Sequence, residues 1–345
     1  MKRNLAWLLL VCLLVVFLFG CNNVGKPPIN SEATSDTTDG EKPTTDNEST
    51  SDTTDDEKPT TDNESTSDTT GNEKPPIEPN PVSDFEYEIN SDGGVTIVKY
   101  IGQQEIVVIP ETIQDLPITK IGINAFRYNI ATSVIMPNTI VEIGGECFYQ
   151  CDKLKSITLS KNLVKIGVSA FQDCTQLQQI TIPSKTKEIG DRAFEGSGLK
   201  TVVFEEGIEI IGGYGSFART QLTELKLPSS VKEIGRSTFA QNSNLASIVL
   251  NEGLVTIGHK AFVNNPMLEE IIVPKTVLYV TEMDFNMCSN LKKIFFDGNA
   301  PATFEYSDPI VGVWEPTDVN FTVYYHEGST GFTSPTWYGY ATEAW

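Results

Sequence analysis

Histidine is almost absent from this chain of 345 residues, which contains only His259 and His326. A histidine-based zinc centre needs several imidazoles close together, and a hydrolase triad needs one imidazole beside a nucleophile. Neither histidine has an evident serine or cysteine partner in its sequence neighbourhood. The sequence therefore predicts no catalytic residue, no metal site and no cofactor.

Basic residues are also scarce, since 25 Lys and Arg face 46 Asp and Glu, for a formal net charge of −21. Residues 22–84 carry a net charge of −12 and residues 85–345 a net charge of −11, so both parts are acidic. A nucleic-acid binder needs a basic surface that displaces counterions from phosphate. Docking on an anionic membrane through surface charge needs one as well. The composition argues against both classes of partner.

Residues 1–20 have the pattern of an export signal, with Lys2 and Arg3 followed by an apolar run from Leu5 to Phe19. The run is too short for a spanning helix, which needs about 20 apolar residues. The sequence Leu18-Phe19-Gly20-Cys21 resembles the cleavage motif of bacterial lipoproteins. That resemblance implies a mature chain that begins at a lipidated Cys21 and is anchored to the membrane. An ordinary cleaved signal with Cys21 merely adjacent is the alternative.

Residues 21–84 form an acidic tract rich in Thr, Ser and Pro, and residues 41–56 and 57–72 are nearly identical copies sixteen residues long. Large apolar side chains are nearly missing from this tract, so burial cannot offset the entropy lost on ordering. The sequence predicts a disordered tether between the lipid anchor and a folded domain.

From about residue 104 the sequence repeats with a period of 22 or 23 residues, and the repeats are predicted to fill residues 104–290 with eight units. Seven units contain an Ile-Gly pair, and a phenylalanine follows in all eight. The pairs begin at Ile121, Ile143, Ile166, Ile189, Ile211, Ile234 and Ile257, and the phenylalanines are Phe126, Phe148, Phe171, Phe194, Phe217, Phe239, Phe262 and Phe285.

Each unit opens with an alternating apolar run such as Leu177-Gln-Gln-Ile180-Thr-Ile182, which predicts a strand with one buried face. A fixed period of this length is typical of a solenoid, in which neighbouring units stack their strands into a parallel sheet. The recurring glycine indicates a tight turn or a close approach between coils. The predicted fold class is therefore an α/β-type solenoid, mainly parallel β with short irregular or helical returns.

The repeat pattern L-x-x-I-x-I-P-x-x-V-x-x-I-G-x-x-A-F-x-x-C closely resembles the BspA-like (Treponema pallidum type) leucine-rich repeat family, most clearly in residues 177–197 and 222–242. The resemblance implies a leucine-rich repeat horseshoe with an N-terminal hairpin cap over residues 85–103 and a C-terminal cap over residues 291–345. The family is associated with bacterial surface proteins, several of which adhere to host matrix proteins or to other cells. It implies no catalytic activity.

Cys151, Cys174 and Cys288 each lie three residues after the repeat phenylalanine, where other units have Ser, Thr or Asn. A position that accepts these small side chains is interpreted as a partly buried structural site. A disulfide between Cys151 and Cys174 in adjacent coils remains possible in an oxidising compartment.

The middle outward position of successive strands forms a candidate partner-binding stripe on the exposed sheet face. Its C-terminal part contains large apolar side chains, and exposed apolar patches often mark interaction sites. The candidate residues are Val203, Lys226, Val249, Ile272 and Phe295. The hypothesis is adhesin-like binding of an extracellular or host protein at the cell surface.

Two other functions remain open. One is a structural role in the cell envelope without a specific ligand. The other is carbohydrate binding through C-terminal aromatic residues, which would instead cover the open end of the last coil if they are structural. These residues are Trp314, Phe332, Trp337, Tyr338, Tyr340 and Trp345.

Overall fold

Residues 78–280, 283–301, 320–337 and 339–345 are described by a computed structural model, and all of them belong to the unit Asn72–Trp345. The predicted signal, Cys21 and nearly all of the predicted tether lie outside the described residues. Trp314 and Tyr338 lie outside them as well. No helix in the described ranges is long and apolar enough to cross a membrane.

The described residues form a solenoid of about ten turns built from short strands. The first eleven strands are β1 Phe85–Ile89, β2 Val95–Tyr100, β3 Ile106–Val108, β4 Thr112–Ile113, β5 Leu116–Ile121, β6 Ser133–Ile135, β7 Glu142–Ile143, β8 Ser156–Thr158, β9 Lys165–Ile166, β10 Gln179–Ile182 and β11 Glu188–Ile189. The remaining strands are β12 Thr201–Phe204, β13 Ile210–Ile211, β14 Glu224–Lys226, β15 Glu233–Ile234, β16 Ser247–Val249, β17 Thr256–Ile257, β18 Glu270–Val273, β19 Lys293–Phe296, β20 Thr322–Tyr325, β21 Thr336–Trp337 and β22 Tyr340–Ala344.

The first row of strands comes from the alternating run that opens each unit. These strands pair in parallel with their buried residues in register, as in Ile180 beside Val202 and Ile271 beside Ile294. The row continues beyond residue 290, because β19 pairs with β20 and β20 pairs with β22. Parallel pairing therefore extends into the segment that was expected to close the solenoid.

The second row consists of the two-residue strands that end at the isoleucine of each Ile-Gly pair. Ile121, Ile143, Ile166 and Ile189 are neighbours in consecutive coils of this row. At its N-terminal end β1 and β2 form an antiparallel hairpin, and β2 continues the row by pairing in parallel with β5.

The segment after each Ile-Gly pair returns the chain through consecutive turns rather than a helix. Among the described residues, the helical structure assigned is the three-residue 3-10 helix Val82–Asp84. The expected irregular returns are therefore present, whereas the described residues give no support to an α/β class or to helical returns. The backbone N–H groups of Glu146, Phe148 and Gln150 donate to carbonyl groups of the next coil. Because every second amide is used in this way, the return segments form a third hydrogen-bonded row.

The hydrophobic core runs the whole length of the solenoid between these rows. The repeat phenylalanines are at most 2% exposed, and neighbouring rings stack with centroids 4.8–5.8 Å apart. The buried strand residues, such as Ile180 and Ile182, face the same interior. No single coil could bury this apolar surface alone, so the core is stabilised by contacts between neighbours.

Candidate functional site

The outward face of the first strand row contains the candidate stripe. Within a strand such as β14, Glu224 and Lys226 are exposed and Leu225 between them is buried. Parallel pairing without a register shift places Lys226 beside Val249 and Ile272 beside Phe295. The stripe residues therefore lie at equivalent positions of consecutive coils.

The apolar members of the stripe differ in exposure. Val203, Val249 and Ile272 are each about half exposed, at 50%, 52% and 51%. Phe295 is only partly exposed, because its ring stacks on Tyr324 with centroids 4.8 Å apart and meets the edge of Trp345 at 5.3 Å. The expectation of three consecutive solvent-facing apolar groups at Val249, Ile272 and Phe295 therefore holds for the first two residues and must be corrected for Phe295.

Two adjoining depressions lie on this face and share Thr201 and Val203. The C-terminal one has a volume of about 420 Å³ and is lined by the side chains of Val203, Lys226 and Val249 together with Glu224. The N-terminal one, of about 440 Å³, is lined by hydroxyl and amide side chains such as those of Thr158 and Gln179 together with apolar and charged residues. Between the two depressions the middle outward position changes from Thr158 and Thr181 to Val203 and Val249.

Lys226 is the one charged side chain among the five stripe residues. No carboxylate in the described part of the chain lies within 4.0 Å of its ammonium group. The carboxylate of Glu224 lies on the same face two residues away, and Glu206 also lines the C-terminal depression, which therefore offers one cation and two carboxylates beside its apolar residues.

The cysteines occupy the structural positions expected for them. Cys151 and Cys174 are buried and unbridged, and each thiol donates to the carbonyl of the phenylalanine one coil earlier, at 3.0 Å. Burial raises the pKa of the Cys174 thiol well above its usual value, and burial raises the pKa of Cys288 to about 11. Such thiols are poor nucleophiles and poor metal ligands. Within the described residues no cluster of three or more candidate metal ligands occurs.

The C-terminal aromatic residues are mostly part of the core. Trp337 and Tyr340 are 4% and 8% exposed, and Phe332 packs against both Phe296 and Trp337. Their faces are not available to stack on a sugar ring. Trp345 is 51% exposed, and one side of its indole stacks on His326, whose Nε2 lies 3.4 Å from a carboxylate oxygen of Asp297.

The return segments carry a second group of candidate side chains that sequence reasoning missed. Tyr214, which is 45% exposed, lies between the guanidinium groups of Arg192 and Arg236, at 5.7 and 5.6 Å from the ring centroid. Tyr214 belongs to the segment Gly212-Gly213-Tyr214-Gly215, which contains a one-residue insertion that sequence reasoning explained as a widened turn. The insertion itself was the available signal, because it lies directly before Tyr214 and marks this return as different from its neighbours.

The chain matches the model of a known repeat family. Residues 103–215 and 213–307 match the BspA type leucine rich repeat region in six copies. No curated protein matches the chain.

Several solved structures are similar. A leucine rich cell surface protein from Faecalibacterium prausnitzii is 19% identical, with 64% of this chain and 88% of that chain covered and a TM-score of 0.36. A leucine-rich repeat protein from Bacteroides capillosus is 33% identical, with 36% and 96% covered and a TM-score of 0.34. A T. pallidum leucine rich repeat protein is 23% identical, with 64% and 86% covered and a TM-score of 0.34.

Proposed function

Because this chain belongs to the BspA-type leucine-rich repeat family, we propose that it is a cell-surface protein that binds extracellular protein partners through its exposed sheet face. Members of this family are bacterial surface proteins and are typically not enzymes. An adhesin-like contact with a host matrix protein or with another cell is the form of binding that we propose.

The observation that carries this proposal is the in-register placement of exposed apolar residues beside a depression. Val203 and Val249 flank Lys226 in the depression of about 420 Å³, and Ile272 extends the apolar surface by one coil. Burying half-exposed valine and isoleucine side chains would yield about 25 cal/mol for each Å² removed from water. The unpaired charges of Lys226 and Glu224 would then select the partner and set its orientation.

Anchoring of this domain to a membrane is part of the same proposal. Residues 1–20 would direct export, Cys21 would carry the lipid, and the acidic tract up to residue 84 would hold the binding face away from the membrane. Two or three acyl chains would provide stable anchoring, which a single chain does not. We propose further that the β1–β2 hairpin and the segment from residue 291 act as caps that cover the ends of the core.

The test is binding of the full chain, solubilised in detergent micelles, to immobilised fibronectin, fibrinogen and laminin. We expect saturable binding to at least one of them, and its loss in the triple variant Val203→Glu, Val249→Glu, Ile272→Glu. The matched control places three glutamates on other surfaces at Ile123, Val164 and Leu278, which are 70%, 41% and 50% exposed. Circular dichroism checks that both variants fold.

Equal binding by the sheet-face variant and the wild-type chain would reject the proposed face. Absence of binding to any partner on a wider panel of extracellular proteins would favour the structural envelope role.

A further inference from the structure

Arginine is confined to one edge of the solenoid. Among the described residues the arginines are Arg127, Arg192, Arg219 and Arg236, and every one lies in a return segment shortly after an Ile-Gly pair. Three of them occupy the consecutive coils that begin at Ile189, Ile211 and Ile234, and Lys260 occupies the next coil. We call Arg192, Tyr214, Arg219, Arg236 and Lys260 the arginine edge.

The hydrogen-bonded returns fix the spacing of these coils, but the cations occupy different positions within their returns. Arg192 and Lys260 lie two residues before the repeat phenylalanine, Arg236 lies three residues before it, and Arg219 lies two residues after it. The amide of Arg192 donates to the carbonyl of Tyr214, and the amide of Gly215 donates to the carbonyl of Arg236, so the three coils are locked in register. The spacing of the coils follows from the stacked phenylalanine rings of the core. The ring centroid of Phe217 lies 4.8 Å from that of Phe194 and 5.6 Å from that of Phe239. Four coils with one cation each therefore present a row of positive charge about 15 Å long, at about 5 Å per coil.

The cations are only partly neutralised by the protein itself. Glu195 contacts both Arg192 and Arg219, at 3.6 and 3.5 Å, and both arginine side chains remain more than half exposed. Arg236 and Lys260 have no carboxylate within 4.0 Å in the described part of the chain. The carboxylate of Asp191 accepts a hydrogen bond from the amide of Tyr214, at 2.7 Å. A surplus of cations thus remains on this edge, in a chain whose net charge is −21.

We propose that the arginine edge binds a short segment of a linear anionic polysaccharide through its carboxylate or sulfate groups. A guanidinium presents a planar fork of N–H donors that matches these oxyanions. None of the five residues lines the two depressions of the sheet face, and the cations of consecutive coils are spaced to contact an extended chain. The ring of Tyr214 is held between the guanidinium groups of Arg192 and Arg236. Its hydroxyl group can donate a hydrogen bond to a sugar oxygen.

The rest of the molecule limits which polyanion can bind. The many carboxylates elsewhere on the chain repel a polymer as densely charged as nucleic acid. An anionic polysaccharide, in which uncharged sugar atoms separate the charges, meets less of this repulsion. This site is independent of the proposed sheet-face function, because it uses a different edge and a different class of ligand.

The test uses the full chain in detergent micelles and isothermal titration calorimetry with two probes, heparin oligosaccharides and polygalacturonate oligosaccharides of equal length. We expect saturable, salt-sensitive binding of at least one probe, and the stronger probe identifies sulfate or carboxylate as the preferred group. Arg236→Gln should weaken binding roughly tenfold, since it removes an unpaired cation at the centre of the row. Glu195→Gln should strengthen binding severalfold, because it releases Arg192 and Arg219 from their shared carboxylate.

Lys99→Gln is the matched control, because it removes one exposed positive charge from strand β2, outside both the arginine edge and the candidate stripe, and should leave the affinity unchanged. Three results would overturn the proposal: binding of neither probe, an equal loss in Lys99→Gln and Arg236→Gln, or equal affinity for polyglutamate or DNA. Circular dichroism of each variant excludes misfolding as the cause of a loss, and Arg219→Gln serves as a second variant if Arg236→Gln does not fold.

Discussion

The rings of Phe171 and Phe194 lie parallel within 1°, with centroids 5.0 Å apart, and both side chains are fully buried. The same stacking links Phe148 to Phe171 and Phe194 to Phe217, so each ring has an aromatic neighbour above and below. An interior ring thus contributes to two interfaces between coils. Loss of one ring should weaken both interfaces at once.

Replacement of Phe194 by alanine should therefore lower the free energy of unfolding by about 3–5 kcal/mol, as expected for a large cavity in a rigid core. Chemical denaturation of the full chain measures the change. Phe295→Ala is the comparison, because Phe295 is only partly buried on the sheet face and should cost clearly less. Similar losses in the two variants would mean that the phenylalanine stack is not a main source of stability.

The two adjacent glycines Gly144 and Gly145 should respond differently to alanine. A Cβ atom at Gly144 would lie 2.6 Å from the backbone of Gly122 and Ile123 in the previous coil, whereas one at Gly145 would meet only the carbonyl oxygen of Val168, at 3.3 Å. We expect Gly144→Ala to destabilise the protein by about 1–3 kcal/mol through overpacking, and Gly145→Ala to cost less than about 1 kcal/mol. Thermal unfolding of both variants checks the order, and a reversed order would show that close backbone approach is not the reason for the repeated glycine.

Asn242 connects three coils, because its backbone N–H donates to the side-chain oxygen of Asn265 in the next coil, at 2.9 Å, and its side chain bonds to the preceding coil. Its amide oxygen accepts hydrogen bonds from the N–H and the hydroxyl of Thr220, both at 2.7 Å, and its amide nitrogen donates to the carbonyl of Phe217. Asn242→Ala should cost about 2–4 kcal/mol of stability, because buried donors and acceptors lose their partners. Asn244→Ala removes an exposed contact with Gln221 and should cost less than about 0.5 kcal/mol. Equal midpoints in urea for the two variants would contradict this account.

The buried thiol of Cys288 should make stability fall at alkaline pH. Its pKa is raised from 9.0 to about 11 in the folded protein, so the unfolded chain loses this proton first as the pH rises. The contribution is complete below pH 9 and is lost as the pH rises towards 11, with a total of about 3 kcal/mol. The free energy of unfolding of the wild-type chain and of Cys288→Ser, measured by chemical denaturation between pH 9 and pH 11, gives this contribution. Parallel pH profiles for the two proteins would rule the thiol out as the cause.

Periodicity alone predicted the first strand row, because each coil repeats the same alternating pattern of apolar residues. The second strand row, which ends at the Ile-Gly pairs, was not predicted. The sequence left two explanations for the glycine of the Ile-Gly pair, a tight turn or a close approach between coils. At Gly144 the backbone of the previous coil leaves no room for a side chain, which favours the close approach. The structural interpretation of Cys151 and Cys174 is likewise confirmed by their equivalent contacts with phenylalanine carbonyls.

The cover on Phe295 and the arginine edge could not be predicted in the same way. Tyr324 and Trp345 follow in sequence after a long non-repetitive segment, so no alignment of repeats places them on Phe295. The return segments depend on left-handed backbone conformations at ordinary residues such as Ser169 and Arg192, with φ of 54° and 56°. This backbone conformation is unfavourable for residues other than glycine, and here hydrogen bonds to the next coil accompany it. The sequence of a single repeat does not indicate those bonds.

The extra glycine before Tyr214 shows how such a protein can change over evolutionary time. Strand β13, which ends immediately before this insertion, still pairs in register with β15 of the following coil, with Ile211 beside Ile234. Towards the preceding coil the second strand row is interrupted, because β11 and β13 belong to separate sheets. A change of length in one coil therefore remains compatible with regular pairing in the next, and new side chains can be acquired one coil at a time.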